Sequence, residues 1–170
     1  MIRTLSVLGL LALVSGTANA EPDVIATQPL ALAAKGVSVS YERPLTVKLS
    51  GVAIAGYRDG ADGDFDANTF TVGGELRWWF RKHAELRGPF AGFHASVGHT
   101  RLSEEQMGYI GSSTTFTQRF DIGWRWVIRD HLTIAPALGI AIHEDISGNG
   151  KLSPIGHGML GIGLELGWMR

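Results

Sequence analysis

Three groupings in this chain combine residue types with a spacing that could do chemistry. His94 and Ser96 stand two apart in FHASVGHT, so on an extended strand they share a face. A hydroxyl there with an imidazole base within reach is the pairing that ester hydrolysis uses, provided a third group orients the base. Glu104 or Glu105 would have to be that group, from a loop. The second grouping is RDGADGDFDAN, residues 58–68, where Asp62, Asp64, Asp66 and Asn68 alternate as oxygen ligands suited to a hard divalent cation. An EF-hand starting at Asp62 needs Gly sixth and Glu twelfth, but Ala67 and Gly73 stand there, which leaves a looser ion site or a solvated loop. The third is a set of eight charges on one strand parity: Glu42, Lys48, Glu75, Arg77, Arg119, Asp121, Arg125 and Glu165.

Other chemistry finds little support. The six histidines lack metal-ligand spacing, and no glycine-rich phosphate loop lies between a strand and a helix, so neither metal nor cofactor is expected. There is no cysteine, which excludes a disulfide framework and a lipid-modified N-terminal Cys.

Residues 1–20, MIRTLSVLGLLALVSGTANA, carry an early charge at Arg3, an apolar run from Leu5 to Val14 and the small-x-small triplet Ala18-Asn19-Ala20. That pattern predicts an export signal cleaved after Ala20 and a single mature domain, residues 21–170. Removing Arg3 from the 15 basic residues leaves 14 against 16 acidic ones, a net charge of −2, without the basic patch of a nucleic-acid binder. No mature stretch reaches the about 18 consecutive apolar residues of a membrane-spanning helix. A membrane-embedded form of this chain must cross by strands.

Strands are what the sequence predicts. Period-two alternation runs through Gly36–Arg43, Leu45–Tyr57, Phe70–Phe80, Pro89–Arg101, Thr114–Ile128, His131–His143 and Ile155–Met169. Their connections alternate: Arg43-Pro44-Leu45 and Arg129-Asp130 are tight and Arg81–Gly88 is intermediate, whereas 58–68, 102–113 and 144–154 are long. Short turns at one end and long loops at the other is the layout of an up-and-down outer-membrane barrel. Parity then calls for an eighth strand before Gly36, and Val24–Leu32 is the available segment, although Pro29 cannot donate to a ladder and ALALAA also suits a helical turn. The fold expected is an all-β, eight-stranded antiparallel transmembrane β-barrel.

Alternation alone does not separate a membrane barrel, apolar outside, from a lipocalin-like soluble barrel, apolar inside. The tryptophans favour the first. All five fall in the last residues of strands running toward the short-turn end, and Trp78, Trp124, Trp126 and Trp168 have the parity of an aromatic girdle. Trp79 has the opposite parity and must fill the lumen mouth or mark a bulge. Tyr57, Phe70 and Phe116 would form a sparser girdle at the loop end. The eight charges then face a lumen only wide enough for side chains, and there they must pair.

His94-Ala95-Ser96 resembles the His-x-Ser element of the outer-membrane lipid A 3-O-deacylases, although that family's following Asn is Val97 here and the register points both residues into the lumen. More of the chain, from ATQPLALAAKGVSVSYERPL through ELRWWFRKHAELRGPFAGFHASVGH to IGWRWVIRDHLTIAPALGIA, resembles small bacterial outer-membrane β-barrel domain proteins of a domain-of-unknown-function family. That resemblance implies an eight-stranded barrel and supplies no catalytic residue. Such barrels commonly end on an aromatic residue, whereas the last aromatic here is Trp168, before Met169 and Arg170. The expectation is therefore a non-enzymatic, monomeric outer-membrane protein of a Gram-negative-type bacterium, with a structural or surface-interaction role. Its partners would be outer-membrane lipid, the barrel assembly machinery and periplasmic chaperones. The alternatives are an outer-membrane lipid hydrolase and a soluble periplasmic barrel for an apolar ligand.

Overall fold

The computed structural model describes residues 22–33, 35–62, 65–81, 86–104, 108–148 and 157–170. The expected signal segment, 1–20, lies outside them. The strands are β1 (Val24–Thr27), β2 (Gly36–Thr46), β3 (Leu49–Asp62), β4 (Phe65–Trp79), β5 (Gly88–Glu104), β6 (Gly108–Ile128), β7 (Leu132–Gly148) and β8 (His157–Met169), and one short helix, α1 (Pro29–Ala33), follows β1. Each strand pairs antiparallel with the next, and β1 pairs with β8 to close an eight-stranded barrel. Among the described residues no helix is long and apolar enough to cross a membrane, which says nothing about strands.

Several boundaries differ from the sequence expectation, each for a local reason. The first turn lies not at Arg43–Leu45 but at Val47-Lys48: β2 continues past Pro44, which a register shift between Pro44 and Thr46 accommodates. The loops expected over 58–68 and 102–113 are largely strand, since β3 and β4 stay paired from Tyr57↔Phe70 to Asp62↔Phe65 and β5 and β6 also run on; of 144–154, β7 takes 144–148 and residues 149–154 lie outside the described residues. Polar side chains there do not end a strand whose backbone partner continues. Asp64, at the centre of the possible ion site, lies outside the described residues.

The expected strand Val24–Leu32 is present only as far as Thr27. Pro29 then opens α1, where its missing N–H would be unbonded in any case, and the Ala31 N–H returns to the Gln28 carbonyl at 3.0 Å. Leu30 and Leu32 of this helix are exposed, in line with the outward Val37 and Val39 of β2. At the opposite end of the barrel Arg129 and Asp130 both take the left-handed conformation (φ 52° and 65°), which makes the β6–β7 turn tight.

Outward positions carry the exposed large apolar residues, with Ile162 76%, Ile122 64% and Phe120 60% accessible, and inward positions carry the buried charges. The lumen is stratified. At the short-turn end Trp79, Leu86, Phe90, Val24, Ala26, Ala135 and Met169 pack as an apolar plug. Charges occupy the middle. Toward the loop end the inward side chains are more open to the surroundings, bonding in pairs such as Thr69–Thr100 at 2.9 Å and Thr117–His143 at 2.8 Å.

Candidate functional site: the charged layer of the lumen

Arg77 on β4 is the hub. Its five N–H donors each meet a carboxylate oxygen: Nε to Glu75 Oε1 at 2.6 Å, Nη1 to Glu42 Oε2 at 2.9 Å and Glu165 Oε2 at 3.0 Å, and Nη2 to Glu165 Oε1 at 2.6 Å and Glu75 Oε2 at 3.1 Å. Three strands thus supply acceptors to one planar fork, a geometry that suits guanidinium and not ammonium. Arg125 on β6 joins through Nη2, which donates to Glu42 Oε2 at 2.7 Å and Glu165 Oε2 at 3.2 Å. Its Nε and Nη1 have no hydrogen-bond partner, and its guanidinium lies 5.4 Å from the Trp79 ring centroid.

The cluster is anchored to the plug beneath it. Ser50 donates to Glu42 Oε1 at 2.5 Å and accepts the Trp79 indole N–H at 2.9 Å. Arg77 stacks 4.8 Å from the Phe90 ring, and Phe90 in turn lies 5.2 Å from Trp79. Glu42, Glu75, Arg77 and Arg125 are all under 5% exposed, so their charges are compensated by one another and not by water. Arg119 and Asp121 on β6 form a separate pair at 2.7 Å, and the Arg119 side chain is 26% exposed, which places it at the boundary with the open end.

Seven of the eight expected lumen charges are therefore inward and paired with each other. Lys48 is the exception. It sits in the Val47-Lys48 turn, with its ammonium 5.6 Å from the ring of the outward Trp78. It shares the parity of the inward Ser50 and Val52, but β3 begins only at Leu49, so Lys48 falls in the turn and not on the wall. The expected girdle residues Trp78, Trp124, Trp126 and Trp168 are 49%, 38%, 51% and 57% exposed, whereas Trp79 is 2% exposed and fills the lumen mouth. Sequence reasoning missed the plug residue Leu86. The lone apolar position between Arg81 and Gly88 other than alanine was the signal for it.

His94 and Ser96 do share the lumen face of β5 and are both buried. No hydrogen bond among the described residues joins them, and His94 Nδ1 has no partner. Glu104 ends the same strand ten residues on, about 33 Å away along an extended chain. Opposite His94 in the two ladders stand Arg119 on β6 and Glu75 on β4, and both carboxylate oxygens of Glu75 accept from Arg77. Among the described residues no group of three or more His, Asp or Glu is placed to hold a metal ion.

What this site does chemically is to hold. Two guanidiniums bridge carboxylates from β2, β4 and β8 across the barrel axis. Against protein-family models, curated proteins and solved structures alike, the chain finds no match.

Proposed function

We propose that this protein is an integral outer-membrane β-barrel with a plugged, charge-paired lumen and a structural or surface-interaction role. The observation that carries the reading is the distribution of polarity across the wall. Outward Leu160 is 73% exposed, while inward Arg77, Arg125 and Glu42 are at most 2% exposed. In water this arrangement would leave large apolar side chains solvated and bury the charges; in a bilayer it is the arrangement expected of a spanning barrel. Four exposed tryptophans at the short-turn end supply the interfacial girdle, and a lumen filled by Trp79, Phe90, Arg77 and Arg125 supports a plug and not an aqueous channel.

The reading gives His94 and Ser96 no catalytic role, which the separation of Glu104 from His94 supports. A soluble barrel for an apolar ligand would need an apolar lumen, and the middle layer here is ionic.

Fractionation of cells expressing the full chain tests the proposal. The mature protein is expected in the outer membrane, migrating differently on gels before and after boiling. Protease added to intact cells is expected to cut only in the β3–β4, β5–β6 and β7–β8 connections. Release of the whole protein with the periplasmic fraction would overturn the membrane reading in favour of the soluble alternative.

A further inference from the structure

The two ends of the barrel differ in charge. The connections at the short-turn end, 47–48, 80–87 and 129–131, hold five basic residues against two acidic ones. Asp23 and Arg170 add one charge of each sign beside them. The segments 58–68, 102–113 and 144–154 at the other end hold eight acidic residues against two basic ones.

At the short-turn end, basic side chains are placed on the tryptophan girdle. Lys48, from the β2–β3 turn, lies over Trp78 with its ammonium 5.6 Å from the ring centroid, and Arg81, just after β4, lies over Trp124 at 5.7 Å. The third short connection repeats the arrangement with an imidazole: His131 stacks on Trp168, with centroids 5.0 Å apart and planes at 12°. A cation within about 6 Å of an indole face is attracted by the ring quadrupole, so the ring fixes where its charge sits. Trp78 and Trp124 are outward and partly exposed. The two cations are therefore held beside the wall at the height of the girdle, not below it in the aqueous space. At that height a spanning barrel meets lipid headgroups, and a fixed cation favours an anionic one.

We propose that the short-turn rim binds anionic phospholipid headgroups, with Lys48 on Trp78 and Arg81 on Trp124 as its two cation sites. The inference rests on the membrane reading above. It adds a preference between lipids to a surface that would otherwise meet every headgroup alike, and it confines that preference to one end of the barrel.

Native mass spectrometry of the full mature barrel, released from micelles containing equal dioleoylphosphatidylglycerol and dioleoylphosphatidylcholine, tests it. The wild-type protein is expected to retain phosphatidylglycerol preferentially. Lys48→Gln and Arg81→Gln are each expected to lower that preference by about fivefold, and Lys48→Arg to keep it. Arg101→Gln, which removes an exposed base from the loop end of β5, is expected to leave it unchanged. Equal retention of the two lipids by the wild-type protein would overturn the proposal, as would a preference that survives in Lys48→Gln/Arg81→Gln or falls as far in Arg101→Gln. Polyglutamate bound through Lys48 and Arg81, without a lipid preference, would overturn it in favour of an acidic protein partner. Fractionation of the same proteins separates the two readings. An outer-membrane barrel without the preference removes only the headgroup sites, whereas a wild-type protein soluble in the periplasm removes the membrane reading as well.

Discussion

Arg77 and Glu165, 88 residues apart in sequence, meet through two parallel bonds, Nη2 to Oε1 at 2.6 Å and Nη1 to Oε2 at 3.0 Å. The pair ties β4 to β8 across the barrel interior, a connection that no backbone ladder makes.

Breaking it is expected to cost more than the pair contributes. Glu165→Leu leaves Arg77 and Arg125 short of an acceptor in a dry layer, and Arg125→Leu strips a cation from Glu42 and Glu165. Each is expected to destabilise the barrel by about 3–5 kcal/mol, read as a shift in the denaturant midpoint of folded barrel in detergent. An unmoved midpoint would mean that these side chains are not paired inside.

The three carboxylates of the cluster are not equivalent. Glu42 and Glu165 each bridge both arginines, whereas Glu75 bonds Arg77 alone. Three acids also face two bases, so one negative charge is in excess. Glu75→Gln is therefore expected to be mild, within about 1 kcal/mol, and Glu42→Gln to be clearly worse by the same unfolding measurement.

Ser50 links the ionic layer to the apolar plug with one hydroxyl. Ser50→Ala would leave the Trp79 indole N–H and one Glu42 oxygen without this partner, at a cost of about 1–3 kcal/mol. Near-ultraviolet circular dichroism should report a changed Trp79 environment even where the barrel stays folded.

Space in the lumen differs between glycines. A Cβ at Gly139 would collide with the Asp121 carboxylate and the Phe120 carbonyl, while at Gly161 the nearest atom is the Gly139 carbonyl oxygen at 4.0 Å. Gly139→Ala is expected to destabilise by about 1–3 kcal/mol and Gly161→Ala by less than about 0.5 kcal/mol, so parallel melts of the two variants check the register of β7 and β8.

The tryptophans offer an optical test of orientation. In vesicles of brominated phospholipid, variants that keep only Trp78, Trp124, Trp126 or Trp168 should be quenched, and one that keeps only Trp79 should not. Quenching of Trp79 to the same degree would contradict its place inside the wall.

Parity made much of this legible from the residues. Glu75, Arg77 and Trp79 alternate with Leu76 and Trp78, so once one face is apolar the other must be the interior, and strand β4 follows from its own letters. Lys48 has the inward parity of Ser50 and Val52 but lies in the turn, because alternation tells which face a residue takes and not where the strand begins. The ends of β3 to β7 were drawn short because polar residues beyond the apolar belt still pair through their backbones. The centrality of Arg77 was not legible at all. Parity says which charges face inward, but the stagger of the strands decides which of them arrive at the same height.

β1 contributes only four residues to the wall, against 17 in β5. A closed ring has no edge, yet it is fastened only as firmly as its shortest clasp. The seam on either side of β1 holds the fewest interstrand bonds, so backbone amides of Val24–Thr27 should exchange with solvent ahead of those in β5 and β6. Opening of the ring would start there, peeling β1 and α1 away as a flap while β2 to β8 remain one continuous sheet.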